Sequence, residues 1–153
     1  MYNKSLIGNT PILKLNNIST KEGVNIYAKI EGTSPGGSCK DRVGIYMVEK
    51  AEKEGKLKPG STIIEATAGN TGIGIALAAI NKGYKIIFIV PDKFSIEKQK
   101  IMKALGAEII NTPKEEGMEG AINLANSLLS EIPNSLSLNQ FKNEANPLAH
   151  YET

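Results

Sequence analysis

From residue 61 onward, the spacing of the apolar positions alternates between two periods. Continuous apolar runs, typical of buried strands, are separated by segments whose apolar residues recur every three to four positions, as on an amphipathic helix. The runs predict four strands, Ser61–Ala66, Tyr84–Val90, Ala107–Asn111 and Ser135–Leu138. Because parallel strands are joined by helical crossovers, this alternation predicts an α/β fold with three layers, in which a four-stranded parallel sheet is flanked by helices.

Three helices are predicted between these strands. They are Thr71–Asn81, a segment that Ser95 caps and that runs to Leu105, and Met118–Glu131. Gly83 and Gly106 follow the first two helices and are interpreted as their terminating residues, since glycine adopts the left-handed conformation that often ends a helix.

The first sixty residues are organised differently. Two extended segments, Pro11–Leu15 and Asn25–Ile30, precede a glycine-rich turn that opens another helix. Ser38 is predicted to be the N-cap of this helix, with Asp41 completing a capping box. The purely structural interpretation of this pattern is a capped helix start without any function.

Lys40 does not fit that purely structural interpretation. A cation in the first helical turn sits at the positive end of the helix dipole, which disfavours it by roughly 0.3–1 kcal/mol. A residue that breaks a local rule without a local gain is often functional. The same field favours the neutral amine, which is the nucleophilic form, while Gly36 and Gly37 allow close approach of a bulky group.

A second glycine-rich segment, Thr67–Gly74, falls where a strand ends and a helix begins. Its glycines read G-x-x-G-x-G, so neither the dinucleotide fingerprint nor the phosphate-binding P-loop is present. A helix N-terminus with free amides still favours an anion, and a carboxylate fits as well as a phosphate. The alternative is that small residues here only allow a strand and a helix to pack closely.

Composition removes several classes of function. The 153 residues suffice for one domain, and a formal net charge of +2 with a single arginine argues against nucleic acid as a partner. One cysteine, Cys39, and one histidine, His150, exclude an internal disulfide and predict no metal site. Cys39 is disfavoured as a nucleophile because no histidine lies near it in sequence. No apolar run has the length of a signal peptide or a membrane span, so we expect a cytoplasmic protein without a membrane partner.

Four motifs in a fixed order carry a family resemblance. They are Gly8–Pro11, Pro35–Arg42, Glu65–Gly72 and His150–Thr153. Together they resemble the cysteine synthase and cystathionine β-synthase family, transferases or lyases that use pyridoxal 5′-phosphate. These enzymes perform β-replacement on O-acetylserine or serine, with sulfide or homocysteine as the second substrate. Segments 91–99 and 132–135 are more similar to bacterial O-acetylserine-dependent cystathionine β-synthases than to ordinary cysteine synthases.

The resemblance implies a role for particular residues. Lys40 corresponds to the lysine that bonds to the cofactor and later moves the α-proton of the substrate, and Asn70 to the residue that hydrogen-bonds the phenolic oxygen of the cofactor ring. The amino acid's carboxylate is held by a loop made of Thr67, Ala68, Gly69, Asn70 and Thr71. Gln140 corresponds to the glutamine that helps to hold the same carboxylate. Ala68 stands where many members have serine, which removes one hydroxyl, and Cys39 replaces a commoner small aliphatic residue.

Members of this family are roughly twice as long as this chain. We therefore expect an N-terminal fragment that lacks the phosphate-gripping loop and the residue facing the pyridine nitrogen, and that is inactive alone. Residues 1–36 are expected to pair with the absent C-terminal domain, and residues 37–153 to form the small α/β domain. The parent enzyme is expected to be a homodimer.

The open strand edges of such a fragment predict self-association, with intermolecular pairing or disorder before Lys29. The alternatives to an enzyme fragment are a non-catalytic anion-binding module and a purely structural α/β module.

Overall fold

The computed structural model describes residues 6–18 and 23–153. Its strands and helices, in chain order, are β1 (Ile12–Lys14), β2 (Tyr27–Lys29), α1 (Lys40–Lys53), β3 (Thr62–Ala66), α2 (Asn70–Ala79), β4 (Lys85–Pro91), α3 (Ile96–Ala104), β5 (Glu108–Thr112), α4 (Gly117–Glu131), β6 (Ser135–Leu136) and α5 (Ala145–Glu152). Short 3₁₀ turns lie at Glu31–Thr33 and Lys114–Glu116.

The predicted parallel sheet is confirmed. Its strands lie in the order β5, β4, β3, β6, and all neighbouring pairs are parallel. In register, Ile64 lies beside Ile87, and Ile89 beside Ile110. Because β3 and β4 are the central strands, the carboxyl ends of both point into the crevice where open α/β sheets bind ligands.

Helices cover both faces of this sheet. On one face, α1, α2, α3 and α5 enclose a core that includes Ile63 and Phe88, both fully buried. On the other face, α4 packs against Ile64 and Ile89, which point the opposite way along the same strands. The continuous apolar runs in the sequence therefore reflect strands that are buried on both sides.

Several boundaries differ from the sequence prediction. Helix α2 ends at Ala79 rather than Asn81, and Asn81 itself adopts a left-handed conformation with φ 61°. Gly83 therefore does not terminate this helix. Gly106, by contrast, follows α3 with φ 93°, and Ser95 caps α3 by accepting from the Lys98 N–H, as predicted. Helix α5 was not predicted.

The predicted capping box at α1 is wrong. The N-cap residue is Cys39, in a helical conformation and without a capping side chain. Ser38 Oγ accepts instead from the Lys40 N–H at 3.2 Å. The Asp41 carboxylate accepts from the Gly36 N–H, two residues upstream of the Ser38 N–H that a capping box would use. The helix begins at Lys40, close to the predicted N-cap Ser38.

The two N-terminal strands pair with each other. Strands β1 and β2 form an antiparallel sheet of two strands, with Ile12 opposite Lys29 and Lys14 opposite Tyr27. For the described part of that segment, this pairing within one chain corrects the expectation of disorder before Lys29, and pairing of the free strand edges between chains stays a prediction. Residues 1–5 and 19–22 of the segment lie outside the described residues. Pairing of residues 1–36 with a further domain stays a prediction.

Two general features concern the described ranges alone. None of their helices combines the length and the hydrophobicity needed to cross a bilayer. In the same ranges, no three side chains of His, Cys, Asp or Glu converge as a metal site would require.

Candidate functional site at the start of two helices

The first turn of α1 lies against α2 with no side chain between them. A Cβ atom added to Gly74 would lie 2.3 Å from the Lys40 carbonyl oxygen, and one added to Gly44 would lie 2.1 Å from the Gly74 carbonyl carbon. Both positions must therefore be glycine. Asn70 lies four residues before Gly74, about 6 Å along the helix axis, so Lys40 and the first turn of α2 are neighbours. The family resemblance implies that Lys40 and Asn70 contact one cofactor, which requires this closeness, and their roles stay predictions.

The Lys40 side chain is half-buried. Within residues 6–18 and 23–153, no carboxylate oxygen lies within 4.0 Å of its ammonium group. Partial burial of the ring and the positive charges of Lys40 and Arg42 lower the pKa of His150 below its ordinary value, against the opposing charge of Glu31. Lys40 and His150 are thus within electrostatic reach of each other.

The loop before α2 carries polar side chains, of which Asn70 is partly exposed while Thr67 and Thr71 are buried, with 2% and 7% of their surface exposed. In the part of the chain that the structure describes, the side chains of Thr67, Asn70 and Thr71 have no hydrogen-bond partner. Gly69 is the N-cap of α2, and no side chain caps this helix, so its first amides are also open. A Cβ on Gly72 would meet the Met102 sulfur at 2.5 Å, which explains why the loop packs tightly onto α3.

Gln140 follows strand β6, which pairs with β3 so that Leu136 lies opposite Ile63. The chain turns at Asn139, which has φ 49°, so the strand register does not extend to Gln140. The Gln140 N–H donates to Glu65 Oε1 at 3.2 Å, and its carbonyl accepts from Asn146 Nδ2 at 2.8 Å. Sequence reasoning assigned no role to Glu65. An acid within an apolar strand was the available signal.

The predicted purpose of one glycine is also corrected. A Cβ on Gly36 would lie 2.3 Å from Asp41 Oδ1, so the space beside this residue is filled by a side chain of the same chain and not by a ligand. Asp41 is fully buried, and burial raises the pKa of its carboxyl group, although the Gly36 N–H bond opposes this. Gly37 has φ 75°, a conformation that favours glycine.

Three of the four sequence motifs meet in a hydrogen-bond network around Glu31 and Arg42, the single arginine. Its guanidinium donates two hydrogen bonds to the Glu31 carboxylate, at 2.7 and 2.6 Å, and further bonds to the carbonyl and hydroxyl of Thr153. Thr10 Oγ donates to Glu31 as well, at 2.6 Å. Burial acts to raise the pKa of Glu31, but the bonds from Thr10 and Arg42 outweigh it and lower that pKa.

Comparison with known proteins decides the family of the chain. Residues 4–153 match the model of the family described as pyridoxal-phosphate dependent enzyme. The chain belongs to this family. It is 57% identical over 148 residues to an O-acetylserine dependent cystathionine beta-synthase of Bacillus subtilis. This match covers 97% of this chain and 48% of that protein. It is 53% identical to a cysteine synthase of a Flavobacterium over 96% of this chain and 48% of the relative.

Solved structures agree with the sequence relatives. An O-acetylserine dependent cystathionine beta-synthase from Helicobacter pylori superposes with a TM-score of 0.89 at 50% identity, over 97% of this chain and 49% of that one. A hydrogen sulfide-producing enzyme from Fusobacterium nucleatum gives a TM-score of 0.91 at 47% identity, over 97% of this chain and 50% of that one. The chain spans about half the length of the curated relatives it matches. The predicted family, fold and family cofactor are thereby confirmed.

The chemistry of the site suits that cofactor and an amino-acid substrate. Lys40 supplies an amine without an acidic partner among the described residues. Asn70 and the uncapped amides of the first turn of α2 supply donors at a helix N-terminus, where negative charge is favoured, whereas the Thr67 and Thr71 side chains are buried. The residues present in this half of the family's length therefore fit an aldehyde and a carboxylate. The roles of the individual residues stay predictions.

Proposed function

We propose that this chain forms part of a pyridoxal-phosphate-dependent enzyme that performs β-replacement in sulfur amino-acid metabolism. In this proposal Lys40 carries the cofactor, and the loop from Thr67 to Thr71 holds the amino-acid substrate. The observation that supports the proposal is the direct contact of the first turn of α1 with α2, since the turns that carry Lys40 and Asn70 are then neighbours.

Each side chain has a defined task in this proposal. The Lys40 amine holds the cofactor aldehyde and afterwards removes and returns the α-proton of the substrate. Asn70 donates to the phenolic oxygen of the cofactor ring. The hydroxyls of Thr67 and Thr71, the open amides of the loop and the Gln140 amide bind the substrate carboxylate. When bound, pyridoxal phosphate supplies the electron sink that makes removal of that proton feasible.

The substrates proposed are small amino acids. The first is O-acetylserine or serine, and the second is sulfide or homocysteine. Support comes from relatives named as cysteine synthase and as cystathionine beta-synthase, at 53% identity in both cases. Ala68 provides no hydroxyl, so the loop binds carboxylate through one donor fewer than a serine-containing loop would have.

Full activity is proposed for a protein that joins this chain to the remaining length found in its relatives, as a homodimer. The other half is expected to grip the cofactor phosphate and to face the pyridine nitrogen. The 153 residues alone are expected to bind the cofactor weakly, because Lys40 and Asn70 supply only part of the contacts that orient it.

Borohydride reduction followed by peptide mapping tests this proposal. In the full-length protein loaded with cofactor, we expect the cofactor mass on Lys40, and we expect Lys40→Ala to lose both the label and β-replacement. Lys53→Ala is the matched control, since Lys53 lies at the opposite end of α1; it should keep both. A label on another lysine, or activity retained in Lys40→Ala, would contradict the proposal.

The 153-residue chain provides a second test. We expect borohydride to label it weakly and without preference for Lys40 over surface lysines. Selective labelling of Lys40 at micromolar cofactor would contradict the expectation that this half binds the cofactor only weakly.

A further inference from the structure

Glu65 is a charged residue at the centre of the sheet. It lies in β3 with only 4% of its surface exposed, beside Ile64, which is fully buried. Among the described residues, no Lys, Arg or His nitrogen lies within 4.0 Å of its carboxylate. Burying a carboxylate without a cation costs free energy that an apolar residue would not cost. The carboxylate must therefore be stabilised by other donors.

Those donors come from one short segment. Glu65 Oε2 accepts from Ser137 Oγ at 2.7 Å and from the Asn139 N–H at 3.1 Å. Glu65 Oε1 accepts from the Gln140 N–H at 3.2 Å. Two successive backbone amides that point at one anion form a nest, and here the anion is a side chain of the same protein. Such charge-assisted bonds are shorter and stronger than those between neutral groups.

The segment that Glu65 binds needs this support. Strand β6 has only two residues, Ser135–Leu136, so ladder hydrogen bonds do not extend to Gln140. Asn139 has φ 49°, a left-handed conformation that a non-glycine residue keeps only where its surroundings fix it. The chain turns there, and the Asn139 carbonyl accepts from the amides of Lys142 and Asn143.

We propose that Glu65 is the positioning residue that fixes Gln140 beside the carboxylate-binding loop. The inference rests on the proposed function, because it assumes that Gln140 binds the substrate carboxylate. Glu65 lies two residues before Thr67, and its carboxylate accepts directly from the backbone N–H of Gln140. One side chain thus sets the distance between the two sides of the carboxylate site, on β3 and after β6. Glu65 acts through Gln140 and does not itself touch the substrate.

The first measurement follows hydrogen exchange in the segment around Gln140 in the absence of substrate. In the cofactor-free full-length protein, hydrogen exchange at the Asn139 and Gln140 amides should become at least tenfold faster in Glu65→Ala. Glu65→Gln should have a smaller effect, because the side-chain carbonyl oxygen of the new glutamine can still accept from the Gln140 backbone N–H. Unchanged exchange in Glu65→Ala would overturn the proposal at its first step.

The second measurement determines the affinity of the site for the amino-acid substrate. In the cofactor-loaded protein, Glu65→Ala should raise the Kd for the amino-acid substrate at least tenfold, as Gln140→Ala should, with cofactor binding changed less than twofold. The Glu65→Ala and Gln140→Ala effects should not add in the double variant, since one residue acts through the other. Additive effects would overturn the proposal, as would an unchanged Kd.

Glu52 offers a matched control. Its carboxylate also accepts three hydrogen bonds, from Lys82 Nζ at 2.9 and 3.0 Å and from the Tyr84 hydroxyl at 2.8 Å, but it lies on α1 away from the loop. Glu52→Ala should lower thermal stability and leave the Kd unchanged. If Glu52→Ala raised the Kd as much as Glu65→Ala, the effect would be loss of stability and not positioning.

Failure of the proposed function gives a different result. If the unaltered full-length protein bound neither the cofactor nor the amino acid, the proposed function would fail, and the role of Glu65 in substrate binding with it. The exchange rates would still report whether Glu65 fixes the segment around Gln140.

Discussion

The two sheets of this protein differ in what holds them. In the parallel sheet, β3 and β4 are buried on both faces, and Phe88 is fully enclosed. In the hairpin of β1 and β2, large apolar side chains face solvent: Ile12 is 66% exposed, Leu13 56% and Tyr27 60%. A hairpin of two strands is only marginally stable by itself. The comparison teaches that pairing of strands, without a covering layer, contributes little to the fold.

The hairpin is nevertheless tied to the domain by polar contacts. The Ile30 N–H donates to the Pro11 carbonyl at 2.8 Å, which closes the hairpin next to Glu31. Glu31 then connects Thr10 of the N-terminal segment to Arg42 of α1. The parallel sheet thus relies on apolar burial, whereas the hairpin is held by this small network, and the two should respond differently to substitution.

The largest effect is expected in the core of the parallel sheet. Phe88→Ala should lower the free energy of unfolding by about 3–5 kcal/mol, because it removes a buried aromatic ring and leaves a cavity. Leu13→Ala in the hairpin should change it by less than about 0.5 kcal/mol, since that side chain is already exposed. Urea unfolding measures both values. Equal losses would mean that the hairpin is as well packed as the sheet.

The link between the two regions gives the next largest effect. Arg42→Met keeps the side-chain volume but leaves the partly buried Glu31 carboxylate without its guanidinium, which should cost about 2–3 kcal/mol. Hydrogen exchange at the hairpin amides should accelerate at the same time. Lys50→Met is the control, because the pair of Lys50 with the exposed Glu144 is 3.7 Å long and should contribute almost nothing. A loss confined to the hairpin, or to the domain, would contradict a linking role.

The exposed hairpin face should affect association more than stability. An open edge with apolar side chains favours pairing with another chain. We expect the 153-residue chain to self-associate at high concentration, and Leu13→Lys to reduce this association while leaving the unfolding free energy unchanged. Sedimentation velocity at several concentrations measures the first quantity. A monomer at every concentration would show that the exposed hairpin edge does not cause association.

The smallest effect concerns pH. Because the pKa of His150 is lowered in the folded state, the unfolded chain takes up the proton first as pH falls below about 6.5. Stability should therefore decrease slightly as pH falls from 7.5 towards 5.5, and this decrease should be smaller in His150→Gln. The pKa of Glu31 is also lowered, but its contribution is lost only at more acidic pH, below about 4.5. An identical pH slope in His150→Gln would show that other groups cause it.

The sequence alone determined the parallel sheet and its helices. Continuous apolar runs separated by helical periods have few physical solutions, so four strands and three helices could be predicted to within a few residues. The start of α1 near Lys40 and the loop at Thr67–Gly74 could also be predicted, since glycine clusters mark such turns. The motifs also identified the family, because their order and residue types are specific.

Only the tertiary structure decided which polar groups meet. Periodicity carries no information on the partner of a buried carboxylate, so the bonds from Glu65 to the segment around Gln140 were not predictable. The partner of Asp41 was missed for a similar reason: local capping rules favoured Ser38, whereas the closed turn at Gly36 presented a nearer N–H. Pairing of β1 with β2 likewise depends on the path of the chain between them. The contacts of Glu65 and the pairing of β1 with β2 join residues far apart in sequence, and their geometry exists only once the core has formed.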